Sequence, residues 1–285
     1  MARTIILFSA FLNFGYAVSK LVGGYIGHSD ALIADGIESS GDILASLMLY
    51  FGVLYAQRPA DENHPYGHGK AETLVTFFVV VMLVMSSIFI GMHAIEGLYA
   101  PDQKPEIYTL WIITFIVISK EALYRVIKYY GKKLRSDILI VEAKHHRSDS
   151  ISSLFAFVGI LIALFFGKGF EKADDIAALV AAVFIFYNAY KIFRPALGEI
   201  MDEHLYPELE AQIRTSSIEV HGIHEIEKCH IRKHGNFYQI DLHAEVDGNM
   251  SVYEGHALSH DLKDYLLKKF PEINHVLVHI EPKNN

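Results

Sequence analysis

Apolar and polar positions follow one rhythm up to about residue 200 and another beyond it. Six apolar stretches run over Ile5–Ile26, Ala31–Ala56, Leu74–Leu98, Tyr108–Tyr129, Ile151–Gly167 and Ile176–Phe193. Each is of the length needed to cross roughly 30 Å of hydrocarbon. The second is continuous only if Asp35, Glu38 and Asp42 are accepted inside a span, and the fifth is short unless its helix extends back through His145. After Pro207 the pattern predicts a helix over Pro207–Ser217, strands over Ile223–Lys233 and Phe237–Val246, a helix over Val252–Phe270 and a strand over His275–Glu281. That αββαβ order predicts a small α+β unit with its helices on one sheet face, a ferredoxin-like arrangement. The expected organisation is a six-span helical membrane domain over residues 1–200 and a cytoplasmic domain over residues 207–285.

The interruptions carry the chemistry. Glu38 and Asp42 are four residues apart, as are His145 and Asp149. On a helix, positions i and i+4 share a face, so each pair presents two ligand groups side by side. Two such helices could close a four-ligand site of three carboxylates and one imidazole. A carboxylate at the centre of a membrane helix costs roughly 2.5–3.5 kcal/mol on insertion scales, and such residues mark ion or substrate paths. Four N/O ligands suit Zn²⁺, Fe²⁺, Mn²⁺ or Co²⁺. These residues predict a membrane transporter of divalent metal ions.

Composition narrows the alternatives. The chain is 52% hydrophobic with a mean hydropathy of +0.24, which fits a membrane part joined to a soluble part. A net charge of −8 argues against nucleic acid as a partner. Cys229 is the single cysteine, so neither an intrachain disulfide nor a Cys-rich zinc finger can form, and ligands must come from His, Asp and Glu. Of the 16 histidines, 9 follow residue 207. Met1–Phe14 is read as the start of the first span, not a cleaved leader, because apolar sequence continues to Ile26 without a small-residue cleavage pattern. Lys and Arg concentrate in the segments after spans two and four, which places both termini in the cytoplasm. Lys20 is expected to snorkel or to pair with a carboxylate, and Asp174 and Asp175 to cap the sixth span.

Two further clusters stand out. Asp61, His64 and His68 form a D-x-x-H-x-x-x-H group in the loop after the second span, where Pro65 and Gly67 disfavour a helix. In the tail, strand alternation sets Tyr238, Ile240, Leu242 and Val246 on one face and Asp241, His243 and Glu245 on the other. The same rule places His230 opposite Cys229 and Ile231, and puts His279 and Glu281 opposite Val276, Val278 and Ile280. His230, His243, His279 and Glu281 therefore lie on sheet faces turned away from the apolar set.

Taken together, these motifs resemble the cation diffusion facilitator family over almost the whole chain. That family has [His/Asp]-x-x-x-Asp on its second span and His/Asp-x-x-x-Asp on its fifth, matched here by Glu38…Asp42 and His145…Asp149. Glu38 stands where His or Asp is usual; its longer arm can be bidentate and leaves selectivity open. Asp35 is common in the family without being placed in its site. The resemblance implies a homodimeric exporter of a divalent cation from the cytoplasm in exchange for protons, with Zn²⁺ or Fe²⁺ as leading cargo and Mn²⁺, Co²⁺ or Cd²⁺ as others. It implies a second metal site at Asp61, His64 and His68, and a dimer-contact ion pair between Lys70 and Asp202. It also implies tail sites at His230, His243, His279 and Glu281, with His256 bridging. The lipid bilayer, metal ions, protons and a second copy of the chain are the implied partners, and the plasma (inner) membrane is the implied location. A membrane metal sensor and a metalloenzyme are the alternatives. The intact Asp42–His145–Asp149 set speaks against the first, and the lack of a His-Glu-x-x-His signature against the second.

Overall fold

The protein is described here from a computed structural model, which covers residues 2–99, 104–133, 137–166, 170, 172–235 and 237–283. The side chains of residues 2–7, 131, 137–142, 145 and 148 lie outside the described set. Six long helices come first: α1 Ala2–Ile26, α2 Asp30–Ala56, α3 Lys70–Tyr99, α4 Ile107–Lys133, α5 Asp137–Phe165 and α6 Ala173–Ile200. The fifth does extend back through residue 145, so the short apolar run belongs to a 29-residue helix. Among the described residues, α2, α3 and α6 are apolar enough by composition to cross a membrane on their own, with mean hydropathies of 1.3, 2.6 and 1.8. α4 holds Lys120, Glu121, Arg125 and Lys128.

The chain divides into two compact units. The first comprises Met1–Met48 and Phe78–Lys191. Its interior mixes small and large side chains: Ala34, Ala94, Ala178 and Ala182 with Ile90 and Ile185 join α2, α3 and α6, and Ala31 and Ala156 with Leu32, Ile113 and Ile160 join α2, α4 and α5. The small residues let helix backbones approach closely where lipid gives no hydrophobic drive for association. Many large side chains turn outward, among them Phe11, Phe89, Trp111 and Phe115, all more than 60% exposed. An apolar exterior is what lipid as solvent selects. Asp174 has a different task from the one its position predicts. It does not serve α6 alone but accepts hydrogen bonds from Ser29 Oγ (2.8 Å) and the Ala31 amide (3.1 Å), closing the start of α2.

The second unit comprises Leu49–Phe77 and Ile192–Asn285. Its tail follows the predicted order: α7 Pro207–Ser217, β1 Glu225–His234, β2 Phe237–Val246, α8 Val252–Lys269 and β3 Ile273–Pro282. β1 and β2 are an antiparallel hairpin that turns at Gly235, whose φ of 64° favours glycine. β2 and β3 are parallel, joined by α8 as the crossover that parallel pairing requires. Ser251 and Glu254 cap α8 reciprocally. Ile213 of α7 and Leu258, Leu262 and Leu266 of α8 cover the apolar face of the sheet formed by Cys229, Ile240, Leu242 and Val276. The strands' other face is left to polar side chains.

Candidate metal centres

Three of the four predicted intramembrane ligands, Glu38, Asp42 and Asp149, reach a shared region from two neighbouring helices. α2 and α5 touch at Glu38, whose Oε2 accepts a 2.6 Å hydrogen bond from Ser152 Oγ. Asp42 and Asp149 lie close enough to Glu38 to act on it electrostatically. His145 falls outside the described side chains; its neighbour His146 is fully buried, with Nε2 2.5 Å from Ser9 Oγ. Asp35 is committed elsewhere. Its Oδ2 lies 2.7 Å from Lys20 Nζ, and its Oδ1 accepts from Ser153 Oγ at 2.9 Å. Lys20 does not snorkel: it is fully buried and donates in addition to Ser39 and Ser153. Lys120 of α4, which the pattern of apolar runs does not single out, is buried with its Nζ 3.4 Å from Asp149 Oδ2.

The loop between α2 and α3 gathers its three candidates through turns, not a helix. The Asp61 amide donates to the His64 carbonyl, the Gly67 amide donates to the same carbonyl, and Gly67 takes a φ of 87°. Asp61 Oδ1 accepts from the His64 amide and lies 3.0 Å from His64 Nδ1; Asp61 Oδ2 lies 3.4 Å from His68 Nε2. The candidate ligand atoms of this trio all fall within 4.8 Å of one another. The His64 amide, first among the causes, holds the Asp61 carboxyl below its ordinary value. His68 Nδ1 lies 3.2 Å from the Pro59 carbonyl oxygen. Donation there fixes the tautomer and leaves Nε2 with a lone pair toward Asp61, the usual support for a metal-binding imidazole. Nearby, Lys70 Nζ donates to the Glu199 carbonyl at 2.9 Å and lies 3.9 Å from Asp202 Oδ1 of the same chain, with both side chains partly exposed.

The tail makes the second compact group. His243 and His279 are direct partners across β2 and β3, with Glu245 and Glu281 paired one step along the same face. His243 Nδ1 lies 2.5 Å from Glu281 Oε1 and His279 Nε2 lies 3.7 Å from that same atom. His243, His279 and Glu281 offer ligand atoms within 4.8 Å of one another. Glu227 joins them, with Oε2 3.9 Å from His243 Nδ1. The hydrogen bond with Glu227, and next that with His243, holds the Glu281 carboxyl below its ordinary value. Two carboxylates and two imidazoles crowded on one sheet face are groups that could hold a cation. His230 is placed differently: it pairs with Asp241, two positions from His243, and is not drawn into this group. The hairpin turn fixes this, since the register runs unbroken from His234 opposite Phe237 to Lys228 opposite His243; the bulge between Ile226 and Lys228 lies beyond it and admits Glu227 next to His243. Strict alternation could not find Glu227; the extra residue shows only in the pairing. His256 is exposed on α8, its ring 4.6 Å from that of His260. Burial pushes the Cys229 thiol up to about 12, so it adds no thiolate to any site.

Comparison with known proteins places these centres in a family. Residues 6–201 match the cation efflux transmembrane domain, and residues 205–283 match the cation efflux protein cytoplasmic domain. The chain belongs to the cation efflux family. It is an integral membrane protein of a divalent-metal export family and carries that family's cytoplasmic dimerisation domain. It is 29% identical to the manganese efflux system protein MneP of Bacillus subtilis (strain 168), over 99% of this chain and 96% of that protein. It is 31% identical to the uncharacterized transporter MJ0449 of Methanocaldococcus jannaschii, over 92% of each. With the cation-efflux pump FieF of Serratia proteamaculans (strain 568) it shares 29% identity, over 92% of this chain and 87% of that one. Among solved structures, a nickel form of the MamM CTD covers 27% of this chain and 96% of its own, at 17% identity and a TM-score of 0.26.

Proposed function

We propose that this protein exports Mn²⁺ from the cytoplasm in exchange for protons, with Fe²⁺ as the next cargo and Zn²⁺ less favoured. The observation that carries this reading is the oxygen-rich central set, Glu38, Asp42 and Asp149, with His145 four residues before Asp149. Carboxylates suit Mn²⁺, whereas additional imidazoles would favour Zn²⁺. Glu38, one methylene longer than Asp, widens the set and permits bidentate binding. The names of relatives that match nearly end to end, MneP and MneS, point to manganese efflux in those proteins. Proton exchange follows from chemistry: imidazole and carboxylate must lose protons to bind metal, so loading releases protons and unloading takes them up.

In this reading residues 1–200 transport and residues 207–285 regulate. Asp61, His64 and His68 form a loop site, and Glu227, His243, His279 and Glu281 form a tail site that senses cytoplasmic metal as a dimer. His230 and His256 remain candidates for contacts to a second copy, and Lys70 and Asp202 for the dimer contact. Both termini face the cytoplasm, in the plasma membrane. No enzymatic step is invoked. The test is uptake by proteoliposomes with a pH-sensitive dye inside, presented with Mn²⁺, Fe²⁺, Zn²⁺, Co²⁺ and Cd²⁺ in turn. Mn²⁺ uptake with coupled alkalinisation of the vesicle lumen, as protons leave in exchange for metal, supports the reading; uptake of Zn²⁺ in preference to Mn²⁺, or metal movement without proton movement, overturns it.

A further inference from the structure

Two lysines are buried among the helices of the first unit, and they are held differently. Lys20 has three partners at 2.7–3.0 Å: Asp35, Ser39 and Ser153. Lys120 has one among the described contacts, Asp149 Oδ2 at 3.4 Å. Lys120 is 2% exposed and lies 13 residues from each end of α4. Its neighbour Glu121 is partly exposed and Arg125 is exposed, so Lys120 is buried because its side chain turns inward to α5. A buried ammonium persists only beside a compensating charge, and the charge beside it is a proposed cargo ligand.

We propose that Lys120 is the resident counter-cation of the metal-free central site, competing with the metal for Asp149. The inference rests on the reading of Asp149 as a cargo ligand. A divalent ion held by Asp149 at roughly 2.0–2.2 Å and an ammonium on the same carboxylate repel each other, so loading pushes Lys120 off Asp149 and its return helps expel the metal. The charge count agrees. The group holds four carboxylates, Asp35, Glu38, Asp42 and Asp149, and two lysines, Lys20 paired with Asp35 and Lys120 with Asp149, which leaves two carboxylate charges for one divalent ion. Lys20, locked by three partners, stays with Asp35; Lys120, on one long contact, is the one able to move.

The experiment measures Mn²⁺ uptake by the full chain in proteoliposomes for wild type, Lys120→Gln, Lys120→Met and Lys120→Arg. Removing the competing charge, in whichever neutral variant purifies as a monodisperse dimer, lowers the KM for Mn²⁺ at least fivefold and lowers kcat, because release loses its push. Lys120→Arg keeps the charge and adds a fork that grips a carboxylate at two points, so its KM rises at least threefold. Opposite KM shifts do not arise from a merely structural role. An unchanged or raised KM in the neutral variants, or an unchanged KM in Lys120→Arg, overturns the proposal, and the arginine variant decides it if neither neutral variant folds. Wild type that fails to move Mn²⁺ while moving another of the five metals sinks the cargo reading alone; the same KM comparison is then made with that metal.

Discussion

Replacing Lys20 with Met strips the cation from a pair that the membrane cannot solvate. Lys20 and Asp35 side chains are 0% and 6% exposed, 2.7 Å apart, with Ser153 donating to Asp35 and both Ser39 and Ser153 accepting from Lys20. Met fills nearly the same volume as the lysine stem, so packing changes little. What is lost is electrostatic: Asp35 keeps one hydroxyl donor and no cation. Breaking a buried pair from one side costs about 3–5 kcal/mol, a factor of roughly 10²–10³ or more in the folded population. The double variant Lys20→Met, Asp35→Leu removes both charges and leaves no orphan, so it recovers most of the loss. The assay is denaturant unfolding of the purified dimer in detergent, followed through Trp111. A Lys20→Met protein as stable as wild type, or a double variant less stable than the single one, refutes the argument. Transport adds a second check: the double variant still carries metal, because Asp35 is committed to Lys20 and not to the cargo.

Asp42→Ala and Asp149→Ala each remove one ligand of four and abolish transport, at least a hundredfold in uptake rate, while size-exclusion chromatography still finds a dimer; wild-type uptake in either would remove the central site. Glu38→His adds a nitrogen donor and shifts preference toward Zn²⁺ by tenfold or more in the uptake ratio, whereas Glu38→Gln cuts uptake severely; a silent Glu38→Gln would mean that Glu38 does not touch metal. The isolated tail, residues 207–285, binds divalent metal in calorimetry, and His243→Ala with His279→Ala loses that binding; retained stoichiometry would move the site to other histidines. Metal binding by the tail also weakens as pH falls, because its imidazole and carboxylate ligands must be deprotonated to hold metal. The Glu281 carboxyl sits below its ordinary value of 4.5 in the fold. Its contribution to stability is therefore present above that value and lost as pH falls further, so metal binding fails before the apo tail loosens, and the reverse order in a pH titration by circular dichroism contradicts this.

Much of this protein was legible in local spacing. The i, i+4 pairs on α2 and α5 share a face because the helix repeat alone decides it, and the tail's element order follows from alternating apolar positions and turn residues. β2 runs over Phe237–Val246 and α7 over Pro207–Ser217, as the pattern predicts. Lys20 does pair with a carboxylate, as expected, but which one depends, like the departures, on partners distant in the chain. Lys20 reaches Asp35, Lys120 reaches Asp149 and Asp174 closes the start of α2, and no periodicity within one helix reveals which neighbour it will meet. The tail makes the same point at smaller scale. Alternation correctly turned His230 away from the core, but the hairpin register holds it opposite Asp241, two positions from His243, while the bulge beside Ile226 brings Glu227 to His243. Sequence determines which side chains share a face, since a backbone repeat fixes that residue by residue. Only the tertiary structure decides which faces meet, because a buried charge in a low-dielectric interior must find its partner across the fold.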